Sequence, residues 1–236
     1  MVKPAIAKPS DRPAATAARP VAGVAFFDLD GTLVDGQTTL LLVKFLRKVG
    51  VVSRAYLVGT GLWFVGYKLR LLKVNERTRN RVSVVFEGRS EAEVERLVER
   101  FTEEELVPRF NPAATAALSE HRAEGDRVVL ISAAMEPVVK AVCRRLGVMD
   151  FVGTVCEVHE GRYTGRMVGA SPHADEKERI AEAYMRRWGV DAAECWAYAD
   201  HGSDLALLRS VGHPVAVNPK PELLAEARRA GWPILP

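Results

Sequence analysis

An α/β fold, with a parallel sheet covered by helices on both faces, is predicted by three features of this 236-residue chain. Short apolar runs alternate with helical patterns of about 10–15 residues, which is how βαβ units read in sequence. The alternation is suspended between Gln37 and Phe110, where helix follows helix. Acidic residues then gather at the ends of two of the apolar runs, at the carboxyl edge where open α/β sheets bind ligands.

Met1 to Pro20 holds four prolines and six alanines with no sustained apolar stretch, and reads as a disordered tail over residues 1–20. Prolines interrupt every candidate for a secretory apolar core, so the chain is expected in the cytoplasm. Val24 to Phe27 suits a strand buried on both faces. Asn111-Pro112 opens a helix that Gly125 closes, and Arg127 to Ile131 is the second strand. A helix ending at Gly147 follows, then a strand from Phe151 to Val158. A turn at Glu160-Gly161 leads to a returning strand, Arg162 to Val168. Asp175 to Trp188 is a helix stopped by Gly189. Trp196 to Ala199 and Pro214 to Asn218 are further strands, separated by a helix beginning near Ser203. Within the helical region, Ser90-Glu91-Ala92-Glu93 is a capping box, followed by Val94, Leu97, Val98 and Phe101 at helical spacing. The core domain is thus expected over residues 21–36 and 111–236, with an all-helical insertion, residues 37–110, between the first two strands.

Composition excludes several classes. Cys143, Cys156 and Cys195 are odd in number and form no CxxC pair, which argues for reduced thiols and against a zinc site or a disulfide scaffold. The longest charge-free apolar run, Ala55 to Tyr67, has 13 residues and is too short to span a bilayer as a helix. A net charge of +3 without a concentrated patch gives no reason to expect a nucleic-acid partner.

The first strand runs into Asp28-Leu29-Asp30-Gly31-Thr32. Residues i and i+2 of an extended chain share a face, so both carboxylates can enter the crevice beyond the strand. Such a pair repels itself, and a hard divalent cation such as Mg²⁺ relieves the repulsion. A surface turn is the competing reading. A calcium loop is not, because Thr32 and Thr39 occupy positions that would carry ligands. A second acidic strand end, Asp200-His201-Gly202-Ser203-Asp204, can complete the same coordination shell. Asp200 is the expected ligand and Asp204 its orienting neighbour; placement of Asp204 in a helix's first turn, favoured by the dipole, is the alternative. Ser132 and the backbone N–H of Ala133, at the end of the second strand, are placed to hold an anion. Lys177 sits in the first turn of its helix, where a cation is mildly disfavoured unless a negative partner offsets it.

Together, Asp28-Leu29-Asp30-Gly31-Thr32, Ser132, Lys177 and Asp200-x-x-x-Asp204 resemble the four motifs of the haloacid dehalogenase superfamily. The long helical insertion and the ending Val211 to Pro219 resemble its phosphoserine-phosphatase-like branch, the subfamily IB hydrolases. The resemblance covers Val21 to Pro236. It implies a Rossmann-like sheet with a helical cap and Mg²⁺-dependent hydrolysis of phosphomonoesters. Asp28 would be the nucleophile that becomes an aspartyl phosphate, and Asp30 the general acid and base. Asp28, the backbone carbonyl of Asp30, and Asp200 would bind the metal; Ser132, Ala133 and Lys177 would hold phosphoryl oxygens, with Thr32 and Asp204 in support. Dehalogenases lack the second aspartate, so Asp30 favours phosphate chemistry.

Two departures bear on substrate. Phosphoserine phosphatases carry a glutamate nine residues after the nucleophile, where this chain has Gln37, which disfavours phosphoserine. His201 replaces the small residue usual after the metal ligand. The insertion is also polarised: Thr38 to Arg81 carries ten basic residues and one acidic residue, whereas Val82 to Val107 carries eight glutamates and three arginines. The two halves are expected to pair as neighbouring helices, with Leu62, Trp63 and Phe64 as the cap's own core. The alternative is peripheral contact with a membrane or phospholipid head group through the basic half. The partner is otherwise a small phosphorylated metabolite, and a catalytically silent ligand-binding protein is the reading from a different class.

Overall fold

The computed structural model describes residues 23–52, 59 and 83–236. The tail expected over residues 1–20 and, apart from Gly59, the apolar stretch from Tyr56 to Val65 lie outside the described residues. Among the described residues no helix is long and apolar enough to cross a membrane.

Seven strands form one sheet in the order β4-β3-β2-β1-β5-β6-β7. They are β1 Val24–Phe27, β2 Arg127–Met135, β3 Asp150–His159, β4 Arg162–Val168, β5 Cys195–Ala199, β6 His213–Val217 and β7 Ile234–Leu235. All neighbours are parallel except β3 and β4, the hairpin that turns at Glu160 and Gly161 with positive φ at both. The α-helices whose bounds fall among the described residues are α1 Thr38–Lys48, α2 Glu91–Phe101, α3 Pro112–Glu124, α4 Glu136–Leu146, α5 Asp175–Trp188, α6 Leu205–Arg209 and α7 Pro221–Ala230.

The apolar runs are continuous because both faces of the sheet are covered. Along β1, Val24 and Phe26 enter one hydrophobic cluster with Ala181, Tyr184 and Met185 of α5; Ala25 and Phe27 enter the other, with Val138 and Val142 of α4. This is the period-2 alternation of a strand, apolar on both sides. From β1 the chain builds outward through β2, β3 and β4 on one side and then returns to β5 on the other, so the order reverses at β1, which opens a crevice at its carboxyl end.

Local signals account for the boundaries. Asn111 caps α3 by accepting from the N–H groups of Ala113 and Ala114, and Gly125, Gly147, Gly189 and Gly231 end α3, α4, α5 and α7 in the left-handed conformation. The capping box at Ser90 is formed in full, and Val94, Val98 and Phe101 are buried. Three details differ from expectation. The second strand does not end near Ser132 but continues to Met135, because its pairing with β3 shifts register after Ile131 and resumes at Met135 with Thr154. The strand placed at Pro214 to Asn218 runs from His213 to Val217. The terminal helix α7 and strand β7 were not expected; β7 is two residues long and depends on pairing with β6 rather than on any pattern of its own.

The acidic part of the insertion meets cations of the core domain as well as of its own basic part. Glu95 and Glu99 pair with Arg144, and Glu103 with Arg145, all against α4, while Lys48 of α1 pairs with Glu104 and Glu105. These pairs are exposed, so each contributes little. Burial contributes more, since Leu42, Phe45, Leu46, Val94 and Phe101 share one hydrophobic cluster with Phe27 and Leu130 of the sheet.

A buried polar chain ties α3 to β5. His121 Nδ1 lies 2.8 Å from Asp126 Oδ2 and its Nε2 2.8 Å from the Tyr198 hydroxyl, whose ring stacks on Phe27 with centroids 4.2 Å apart. Replacing Asn111 by alanine removes the α3 cap and should lower stability by about 1 kcal/mol, read from urea unfolding midpoints at constant slope.

Candidate active site

The carboxyl ends of β1, β2 and β5, with the loops leading into α5 and α7, surround a cavity of about 300 Å³. Asp28, Asp30, Gln37, Ser132, Ala133, Lys177, Asp200 and Asp204 all line it, so residues far apart in sequence are brought to one place. His173, His201, Ser203 and Lys220 also line it.

Asp28 continues the pairing of β1 by one residue, its N–H donating to the Tyr198 carbonyl at 3.0 Å. Gly31 then turns the chain with φ +84°. A second requirement on Gly31 comes from across the sheet, because a Cβ there would overlap the Asp200 carboxylate. Asp30 Oδ1 accepts from the Thr38 N–H at 2.8 Å, so the start of α1 anchors it.

Lys177 is the electrostatic centre. It is 3% exposed, and its ammonium lies 2.8 Å from Asp28 Oδ1 and 2.9 Å from Asp204 Oδ1. Burial alone would lower its pKa, but the two carboxylates outweigh that and hold it above the ordinary lysine value. Asp204, expected to orient Asp200, meets Lys177 directly. The helix that carries Lys177 follows Ala174, whose φ of +51° is uncommon for a residue with a side chain and whose carbonyl accepts from the Lys177 N–H at 2.9 Å.

One lysine cannot neutralise this cluster. Carboxylate oxygens of Asp28, Asp200 and Asp204, all buried, lie within 4.8 Å of one another. Burial pushes the Asp28 carboxyl up to about 7; Lys177 opposes the shift, and Asp204 adds to it. Asp200 is likewise raised, chiefly by burial, with Lys220 opposing. A group of hard oxygen donors carrying surplus negative charge suits Mg²⁺, and Asp28 and Asp200 fit as its side-chain ligands. The Asp30 carboxylate is not in that group; it faces the cavity from its anchor on Thr38. The other described group that could hold a metal, His121, Glu124 and Asp126, lies at the amino edge of the sheet, and both ring nitrogens of His121 are committed.

Ser132 is buried, and its Oγ accepts from the Ala134 N–H at 3.1 Å. The register shift in β2 falls over this stretch and leaves Ala133 exposed at the cavity wall. Thr154 of β3 donates to the Ala133 carbonyl at 2.7 Å and also meets Ser171, which fixes the loop from behind. Thr32 is fully buried. Gln37 precedes α1 without capping it through its side chain, which instead lines the cavity. His201 points into its own turn, its Nδ1 accepting from the Ser203 N–H at 3.0 Å.

Sequence reading missed His173, Ser203, Lys220 and the Thr154–Ser171 support. Lys220 carried a usable signal, since it follows an apolar strand whose carboxyl end faces the same crevice. Nothing local marks Thr154 or Ser171.

Comparison with known proteins gives the family. The haloacid dehalogenase-like hydrolase family model matches residues 25–209. The chain is 34% identical over 218 residues to a phosphoserine phosphatase of Mycobacterium tuberculosis H37Rv, covering 89% of this chain and 69% of that one. It is 29% identical over 217 residues to a histidinol-phosphatase of Neisseria meningitidis serogroup C, covering 90% and 97%. A solved structure of a protein of unknown function from Bordetella pertussis Tohama I is similar with a TM-score of 0.82 at 25% identity, covering 92% of this chain and 99% of that one.

Gly31→Ala should lower phosphatase activity about a hundredfold, because the new methyl displaces Asp200; steady-state rates with p-nitrophenyl phosphate test this. The Asp28 shift gives a pH dependence with a definite sign. In metal-free protein its contribution to stability is full below the ordinary carboxylate value of 3.8 and is lost as pH rises to about 7. Mg²⁺ competes with that proton, so the rise in melting temperature on adding Mg²⁺ should be larger at pH 8 than at pH 6, and Asp28→Asn should shrink the difference.

Proposed function

The chain belongs to the haloacid dehalogenase-like hydrolases and is a phosphatase of that family, and on that premise we propose that it hydrolyses a small organic phosphomonoester through an aspartyl phosphate on Asp28, with Mg²⁺. The observation that carries this reading is the Lys177 ammonium held between Asp28 and Asp204, with Asp200 within 4.8 Å of both carboxylates. That arrangement sets a carboxylate nucleophile beside a buried cation and a metal-sized cluster of oxygens.

Asp28 attacks phosphorus in line with the ester oxygen, and the phosphorus–oxygen bond to the leaving group breaks. Asp30 gives its proton to the departing alkoxide. Burial raises the Asp30 carboxyl above its usual range, which favours the protonated form that this step needs, and the Thr38 N–H keeps it aimed. Asp30 then takes a proton from water, which attacks the aspartyl phosphate, releases inorganic phosphate and regenerates Asp28. Lys177, Ser132 and the backbone at Ala133 hold the phosphoryl oxygens. Asp28, Asp200 and the Asp30 carbonyl would hold the Mg²⁺, which when bound supplies charge neutralisation for the approach of one anion to another.

Residues 37–110 we assign as the cap that selects the leaving group. Gln37 lines the cavity as a neutral amide where phosphoserine phosphatases carry a glutamate, which supports a substrate other than phosphoserine. Histidinol phosphate and glycerol phosphate belong to the class we favour.

Phosphate release from a panel of phosphorylated metabolites, including phosphoserine and histidinol phosphate, tests the substrate; phosphoserine as the fastest would overturn that part. Asp28→Asn should abolish turnover. Asp30→Asn should keep Mg²⁺ binding and lower kcat by about 10²–10⁴, and an Asp30→Asn enzyme as fast as the parent would remove Asp30 from the mechanism.

A further inference from the structure

Lys177 and Lys220 both meet aspartates of the cavity, but on different terms. Lys177 is buried and makes two short contacts. Lys220 has a side chain 53% exposed and a single contact, 3.6 Å from its Nζ to Asp200 Oδ2, beyond hydrogen-bond length. Its backbone, in contrast, is firmly placed. The Lys220 N–H donates to the Asp200 carbonyl at 2.8 Å, and Asn218, two residues earlier, adopts φ +40° while its N–H donates to the Leu235 carbonyl at 2.9 Å. The loop after β6 is therefore pinned against the end of β5, and only the flexible stem of Lys220 is free to move.

Charge gives this arrangement a purpose. Four aspartates and two lysines line the cavity, so carboxyl groups outnumber ammonium groups there. Lys177 cannot leave without exposing two buried carboxylates. Lys220 can, because its ammonium is half solvated and its stem is long.

We propose that Lys220 is a displaceable counter-cation of the metal site: its ammonium holds Asp200 when no metal is bound, swings to solvent when the metal enters, and so sets how tightly the site takes Mg²⁺. This rests on the reading of Asp200 as a metal ligand. Lys220 is a positioning residue in this proposal, acting through Asp200. A purely structural role for the loop would run through the Lys220 N–H, which a side-chain substitution leaves in place.

Isothermal titration of the full chain with Mg²⁺ alone, without phosphate, tests the proposal. Lys220→Met keeps the stem and removes the charge. Because a half-exposed ammonium is partly screened, Mg²⁺ should bind about tenfold more tightly to this variant. Lys220→Arg, which restores the charge, should return affinity to within about twofold of the parent, and Lys220→Gln should follow Lys220→Met. Unchanged or weaker binding in both neutral variants, with normal binding in the parent, would overturn the role of Lys220 and leave the metal site standing. A parent chain that binds no Mg²⁺, or an Asp200→Asn variant that binds as well as the parent, would overturn both.

Discussion

The buried contact of Lys177 with Asp28 and Asp204 is the constraint around which the site is arranged. Removing an ammonium and two carboxylates from water costs several kcal/mol per ion, and the cost is offset only when the charges meet at close range. Here they meet at 2.8 and 2.9 Å, from three separate segments: the end of β1, the first turn of α5 and the turn before α6. No one segment can satisfy its charge alone. The sheet order, with β1 between β2 and β5, puts these segments side by side and makes the contact possible.

The backbone around that contact is unusual in a consistent way. Gly31 lies beside Asp30, Ala174 precedes Lys177 by three residues, and Asn218 precedes Lys220 by two; all three have positive φ. Only Gly31 adopts it without a steric penalty. At the other two positions the surrounding structure imposes the conformation, which is a usual cost of aiming side chains into a functional site. The sheet behind is buried on both faces and gives these loops a rigid base.

The described part of the insertion leans on that same base. α1 begins at the Asp30 carboxylate and buries its apolar face with the sheet, and α2 lies against α4. A segment that contributes Gln37 to the cavity wall at one end is thus fixed to the sheet by packing, and Gln37 adjoins the Thr38 N–H that anchors Asp30.

The sequence by itself determined the class of fold, most strand and helix positions, and most of the residues around the cavity. Those features depend on local rules: apolar alternation, helix caps, left-handed glycines, and acidic residues at strand ends. The longer β2 escaped, because its continuation past Ser132 depends on a register shift against β3 that no single strand encodes. β7 escaped for the same reason, being two residues stabilised by a neighbour. What only the tertiary structure decided is which charges meet. The approach of Asp200 to Gly31, the second contact of Lys177 with Asp204, and the reach of Lys220 to Asp200 are distances between segments far apart in the chain, set by how the sheet is assembled.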